Sequence, residues 1–502
     1  MNDPGPVEVF HLSTCHGERP REPDRLVPFR PLDPRNRPYP FKTYPGLDPV
    51  PLPTALTRSR LPAVEVLSGR QAEPRDLDDA LLSTVLHLAG GVTRVAGPDG
   101  QRTYYRTAMS AGNLHPVEIY VVRGSVHHYD PLGHALTGLR PPGSVGGPRS
   151  AALLVLTGIP FRTCWKYGER GWRHLWWDAG TIAANALAVA AAHGVTARLD
   201  VGFDDEAVAQ LVGVDPTEEL PLALIRLGEA EVALPPPGSL EPITARPSPV
   251  APRVVRFPLL EAAHAAGVIS EEAVGPWRAA AAAVSRPAAG EPQAPPSGGD
   301  GHVVEDVILQ RGSTRVFRPG RAAAPLLDWG LPAAARAVPF DAAAGGTLVQ
   351  HLVSVHDVEG RERGRYRYAG AGGFERYDVA QPTGEAALRA GCEALCLRQP
   401  LGGASAYTVF HACEIEPLLR SLGARGYRAA QLEAGVVAER LALSAFALGC
   451  GGTGLTFYDD MVSSYFESMA APLLATAIGI PASPPAPSGS PGSPVELRSR
   501  RF

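Results

Sequence analysis

The chain has 502 residues, 45% of them apolar, with 47 basic against 51 acidic side chains and a formal net charge of −4. At roughly 150 residues per domain this is enough for two to four domains with real cores, and the slightly acidic balance argues against a nucleic-acid partner. No apolar run reaches the ~18 residues of a membrane span, and the six cysteines lack the spacing of a zinc site or disulfide framework.

The first residues carry neither the basic nor the apolar part of a secretory signal, so a cytoplasmic protein with no membrane and no metal is expected. Residues 1–60 are Pro- and Arg-rich and read as an extended arm laid over a folded body. From 78 to 90 the apolar spacing predicts an amphipathic helix. The runs at 117–122, 151–159 and 221–228 predict buried strands, and the Ala-rich stretch 173–193 predicts a buried helix. Together 61–230 form a first domain. Residues 231–302 turn proline-rich and read as a linker carrying a helical insert at 258–284. A second folded domain spans 303–480, and the Pro/Ser-rich tail 481–502 is expected to be disordered. Of the basic residues only Lys42 and Lys166 are lysines, so a position that stays lysine here carries more information than usual.

The decisive observation is a repeat. RGWRHLWWDAGTIAANALAVAAAHG at 170–194 aligns without a gap on RGYRAAQLEAGVVAERLALSAFALG at 425–449, at a constant offset of 255. The offset pairs Arg170 with Arg425, Arg173 with Arg428 and Gly180 with Gly435. It still holds where Phe203-Asp204-Asp205 meets Tyr458-Asp459-Asp460. The chain therefore reads as two fused copies of one domain.

The first copy contains RTAMSAGNLHPVEIYVV (106–122), KYGERGWR (166–173) and GFDDEAVAQLVGVD (202–215), with VFHLST and PFKTYPGLDPVPLP in the arm. These segments resemble the SagB-type (azoline) dehydrogenase branch of the FMN-dependent nitroreductase superfamily, over roughly residues 1–230. The second copy matches more loosely, through RGSTRVF (311–317) and 425–467. The resemblance implies an α+β fold of two nitroreductase-like domains forming an intramolecular pseudo-dimer, the second domain degenerate. It also implies flavin sites built by both halves.

In that superfamily an Arg-x-Ser-x-Arg segment holds the flavin phosphate through guanidinium forks and a hydroxyl. A Ser-x-x-Asn loop comes from the facing subunit. Here the first survives only in the second copy, as Arg311, Ser313 and Arg315. The second survives only in the first copy, as Ser110, Ala111, Gly112 and Asn113. Their counterparts, LSGRQAEPRD (67–76) and PFDAAAGGT (339–347), have lost the pattern. The halves are complementary, and one composite FMN site per chain is expected, with Gly452, Thr453 and Gly454 bringing backbone amides near the flavin ring.

Taken singly these signals are weak. A Ser-Ala-Gly-Asn stretch is most often a turn, and RGSTRVF alone reads as a solvated arginine pair. Arg170, Arg173, Arg425 and Arg428 read as structural, tying the helix start to neighbouring carbonyls. Lys166 alone would be a surface partner of Glu169 or Asp178, worth under ~1 kcal/mol. Lys42, in PFKTYPG, reads as an anchor of the arm.

The family places a catalytic Lys-Tyr pair where Lys166 and Tyr167 stand. Azoline oxidation removes a proton α to a carbonyl, which arginine cannot accept because it does not deprotonate in proteins; a lysine can where its surroundings tune it. Lys166 is thus expected as base, with Tyr167 positioning or sharing the proton. The implied reaction oxidises thiazoline or oxazoline rings of a ribosomally made peptide to azoles, with oxygen as electron acceptor. The peptide is one partner and a cyclodehydratase a second. Two other readings stand beside it: an FMN oxidoreductase of the same fold that desaturates another substrate or reduces nitro groups with NAD(P)H, and a non-catalytic peptide-binding scaffold.

Overall fold

Val117–Val122 and Ala152–Gly158 are buried along their whole length, the signature of central strands covered on both faces. They lie in a seven-stranded sheet, in the order Val50–Pro51, Ala135–Gly138, Val126–Asp130, Val117–Val122, Ala152–Gly158, Leu220–Leu227, Ala197–Asp200. Each neighbour is antiparallel. The computed structural model describes residues 4–17, 31–99, 101–288, 294–296, 301–370, 373–377 and 384–497. Parts of the arm, linker and tail readings lie outside them.

A second sheet runs Phe374–Arg376, Gly364–Tyr368, Gln350–Val355, Tyr407–Cys413, Ala471–Gly479, Gly451–Leu455. Its last four strands repeat the order of the first sheet's last four. In both, the strand latest in sequence sits inside the one that precedes it. The chain is α+β and built of two such halves.

The repeated segment forms the helix Gly171–Ala192 and the latter part of Ile415–Ala447, which kinks at Gly423. These two helices meet residue for residue. Trp172 stacks on Tyr427, 255 positions away, with centroids 5.7 Å apart and planes at 9°. Trp177 Nε1 donates to Gln431 Oε1 at 2.6 Å. Gly180 and Gly435 mark the tightest approach: a Cβ built on Gly180 would lie 2.4 Å from the Leu432 carbonyl oxygen, and one on Gly435 2.4 Å from that of Trp177. Only glycine lets the two backbones come so near.

Ion pairs across the halves are reciprocal. Asp459 accepts from Arg170 and Arg173, both at 3.0 Å, and Asp205 accepts from Arg425 and from Arg428, the latter at 3.0 Å. All four arginines are buried, and they also bind main-chain carbonyls, as their structural reading holds. The working acids are Asp205 and Asp459, so beyond the helices the repeat slips by one residue.

The structure departs from three sequence expectations. Within the arm, Pro6–Thr14 is a helix. Its Phe10 packs on Trp172 at 4.8 Å, and the His11 carbonyl accepts from Arg173 at 2.9 Å. Its short apolar spacing was hidden among prolines. The linker insert is two helices, Pro258–Ala265 and Glu271–Val284. The first serves the second half as Pro6–Thr14 serves the first, with the His264 carbonyl accepting from Arg428. The tail is ordered as far as it is described. Val495–Leu497 pairs in parallel with Arg94–Ala96, and Gly489 N donates to the Thr93 carbonyl at 2.9 Å. An open strand edge satisfies its main chain, which composition does not reveal.

Lys42 is buried, donating to Glu219 and to Tyr120 Oη, both at 2.6 Å, and so anchors the arm. Among the described residues no helix is long and apolar enough to cross a membrane.

Candidate active site

Asp178, Thr181 and Asn185 lie at i, i+3 and i+7 on one face of the helix Gly171–Ala192, and together they hold one loop. Asp178 accepts from Ser110 Oγ at 2.5 Å and from Ala111 N at 3.1 Å. Thr181 Oγ1 donates to the Met109 carbonyl at 2.8 Å. Asn185 Nδ2 donates to the carbonyls of Thr107, at 3.4 Å, and Leu88, at 3.1 Å. Burial pushes the Asp178 carboxyl up to about 7, against the pull of its Ser110 and Ala111 hydrogen bonds.

The loop continues into Gly112, at φ +63°, and Asn113, at φ +57°. Asn113 Nδ2 donates to the Tyr104 carbonyl at 2.7 Å, and its Oδ1 meets His115 Nε2 at 3.0 Å. A Cβ on Gly112 would lie 2.5 Å from Tyr167 Oη and 3.3 Å from Lys166 Nζ. The loop glycine therefore opens directly onto the Lys-Tyr pair.

Lys166 and Tyr167 end the helix Pro160–Tyr167. Lys166 Nζ sits over the Tyr167 ring, 5.2 Å from its centroid, and that ring packs edge-on against His174 at 4.3 Å. The surface pairing considered for Lys166 has lost its acids to other work: Glu169 accepts from Leu260 N at 2.9 Å, and Asp178 holds the loop. Burial, and then the Asp178 charge, raise the Tyr167 phenol to about 12, while Arg315 of the second half pulls the other way.

The second half contributes residues 311–315, which follow the helix Val304–Gln310. Ser313 bridges in parallel to Gly452, and Thr314 N donates to the Gly452 carbonyl at 3.1 Å, so this segment and the strand Gly451–Leu455 are adjacent. Thr453 is buried, and Gly454 is exposed. Arg311 reaches across to the first half, donating to the carbonyls of Arg106, at 3.3 Å, and Thr107. Its Nε lies 3.2 Å from Glu439 Oε1. Burial pushes Glu439 up to about 7 against the attraction of Arg311.

The segments 106–113, 166–167, 311–315 and 451–455 thus meet at one place between the halves. FMN fits the residues present. Arg311, Ser313 and Arg315 are phosphate-type donors, and beside Gly454 a Cβ would meet nothing nearer than 3.9 Å, which leaves room for a flat ring. Sequence reasoning missed Asp178 as the loop's holder, along with Thr181, Asn185, Glu439 and Arg94. Arg94 pins the turn through the Leu309 carbonyl at 2.6 Å and the Arg311 carbonyl at 3.2 Å. Polar residues at helical spacing inside an apolar helix were the available signal for the first three.

The repeat counterpart of Asp178 is Glu433, which accepts from Thr347 Oγ1 and, at 2.8 Å, from Leu348 N. The counterparts of Thr181 and Asn185 are Val436 and Arg440. Facing them, Val338–Asp341 lies on the strand Ala197–Asp200, with Leu199 N donating to the Pro339 carbonyl at 2.8 Å.

Residues 68–229 match the Nitroreductase family. A Methanocaldococcus jannaschii protein assigned as a nitroreductase is 28% identical over 166 residues, 29% of this chain and 78% of that protein. Among solved structures, an Anabaena variabilis protein assigned as a nitroreductase superposes with a TM-score of 0.70 at 23% identity, covering 95% of this chain and 99% of that one. A chain of the Escherichia coli microcin synthetase McbBCD complex with truncated pro-MccB17 bound gives a TM-score of 0.27 at 24% identity, covering 45% of this chain and 92% of that one. The first superposition shows the fold over nearly the whole length; the second score is too low to add to it. Residues 68–229 thus carry a match to the Nitroreductase family, a family of oxidoreductases that generally binds flavin.

Proposed function

We propose that the chain is an FMN-dependent dehydrogenase that oxidises thiazoline or oxazoline rings of a ribosomally made peptide, using one composite site shared by its halves. One observation carries the reading: Lys166 and Tyr167 abut the glycine of the 110–113 loop, and the charge of Arg315, from the other half, reaches the same tyrosine. Arg311, Ser313 and Arg315 hold the phosphate, while Ser110, Ala111, Gly112 and Asn113 face the ring from the first half and Gly452, Thr453 and Gly454 from the second. Flavin, when bound, supplies the acceptor for the hydride leaving the ring carbon, with oxygen as final electron acceptor. Lys166 Nζ takes the proton α to the carbonyl, and Tyr167 Oη orients that amine. The counterpart site, where the segments 67–76 and 339–347 stand in place of these motifs, holds no flavin. A cyclodehydratase supplying azolines is the partner this chemistry requires.

The family match at 68–229 favours a second reading, NAD(P)H-dependent reduction of a small substrate on the same fold. Bound flavin per chain and the Lys166→Ala variant separate the two. The azoline reading expects one FMN per chain and a variant that keeps its flavin but loses azoline oxidation. An unimpaired variant, or two flavins per chain, overturns it. A variant that still reduces nitro compounds with NAD(P)H, in a protein inactive on azolines, establishes the second.

A further inference from the structure

Across the pair of long helices from the composite site lies a second cavity, of about 410 Å³, lined by Arg440 and Arg336 and walled by Leu187, Ala191, Val195 and Phe340. Arg440 is only 3% exposed. Its one hydrogen bond among the described residues goes from Nη1 to the Arg336 carbonyl at 2.9 Å, and Arg336 Nη1 donates to the Ala333 carbonyl at 2.9 Å. Neither guanidinium forms an ion pair with a carboxylate among the described residues. The acid nearest in the repeat, Glu433, is engaged with Thr347 and Leu348.

Repeat partners make the contrast sharp. On the composite side Glu439 faces Arg311 and Asn185 holds a loop; on this side the same helical positions are Ala184 and Arg440. An acid has become alanine and an amide has become a cation, which the charge of Glu433 offsets only in part and without a direct ion pair. A buried guanidinium with one main-chain hydrogen bond and no ion pair is unfavourable. Burial, and then repulsion from Arg336, hold Arg440 well below the arginine range against the attraction of Glu433, and burial holds Arg336 at about 10. Each of the two cations returns the fold a single main-chain hydrogen bond. A ligand that brings negative charge removes both penalties at once, and guanidinium forks match an oxyanion bidentately. The volume is that of a small-ligand pocket. Val338–Asp341 covers the strand that would have to be bare to take a flat ring.

We propose that this cavity is a second ligand site, distinct from the composite one, that binds the phosphate or carboxylate head of a small molecule through Arg440 and Arg336, with Leu187, Ala191 and Phe340 packing on its apolar body.

The test is equilibrium dialysis with inorganic phosphate and, separately, acetate at low ionic strength. It compares the wild-type chain with Arg440→Gln, Arg336→Gln and Arg311→Gln. Saturable phosphate or acetate binding should survive Arg311→Gln and weaken about tenfold or more in the other two, as loss of a charge-assisted pair implies. The tighter of the two anions identifies the head group. Should Arg440→Gln fail to fold, Arg336→Gln, whose side chain is partly exposed and makes a single main-chain bond, still decides. Binding lost in Arg311→Gln but kept in Arg440→Gln or Arg336→Gln would place the anion in the composite site, and no saturable binding at all would equally overturn the proposal.

Discussion

Replacing Gly180 by alanine puts a methyl group 2.4 Å from the Leu432 carbonyl oxygen and 2.7 Å from Val436 N. Ordinary contact begins near 3.4 Å, so the two helices must separate by about 1 Å. The obstructing atoms are backbone and cannot swing aside. Overpacking of this kind costs typically about 1–3 kcal/mol, here toward the upper end, and the better helix propensity of alanine returns about 1 kcal/mol. A net destabilisation of about 2 kcal/mol is expected for Gly180→Ala, and the same for Gly435→Ala, whose methyl would meet the Trp177 carbonyl oxygen at 2.4 Å. Both glycines sit at one crossing. Once the first methyl has parted the helices the second finds room, so the double variant should lose clearly less than the sum. Urea unfolding of the four proteins measures this directly. The same separation shifts 110–113 and 166–167 against 311–315, so affinity for added FMN should fall in parallel. Single variants within about 0.5 kcal/mol of wild type, or a fully additive double variant, would refute the reasoning.

Asp459→Asn leaves Arg170 and Arg173 buried against a neutral amide and should cost about 3–5 kcal/mol; a urea midpoint close to wild type would sink that reading. Burial raises Asp459, but Arg170 and Arg173 together outweigh it and hold it at about 2. Its contribution to stability is present above the unfolded carboxylate range and is lost as pH falls toward 2, a loss absent from the variant. Asp178 has the opposite sign. Its folded value of about 7 lies above the unfolded one, so wild-type stability should decline relative to Asp178→Asn as pH rises from about 4 to 7, then run parallel. A difference independent of pH across that range would mean the carboxyl is not shifted. Arg311→Ala should lose FMN without losing the fold, checked by absorbance after gel filtration against the circular dichroism spectrum. Retained flavin would remove Arg311 from the phosphate site.

The repeat, the strands at 117–122 and 151–159, the buried helix of the first copy and the split of the Arg-x-Ser-x-Arg and Ser-x-x-Asn patterns between the copies were all legible in the sequence. Each is a pattern along one dimension: an apolar period, a constant offset, a motif present in one copy and absent in the other. Tertiary structure decided which groups meet. That Asp205 and Asp459 are the acids between the halves, that Asp178 holds Ser110 rather than Lys166, and that Glu439 faces Arg311 depends on contacts between residues far apart in the chain. The tail strand and the helix Pro6–Thr14 escaped for the same reason. Proline-rich composition reports how little a segment can pair with itself, while its order here comes from a strand edge and a buried arginine cluster elsewhere in the chain. Arg440 shows the limit most plainly. In the sequence it is one arginine among many, and only the fold makes it a buried cation facing a cavity.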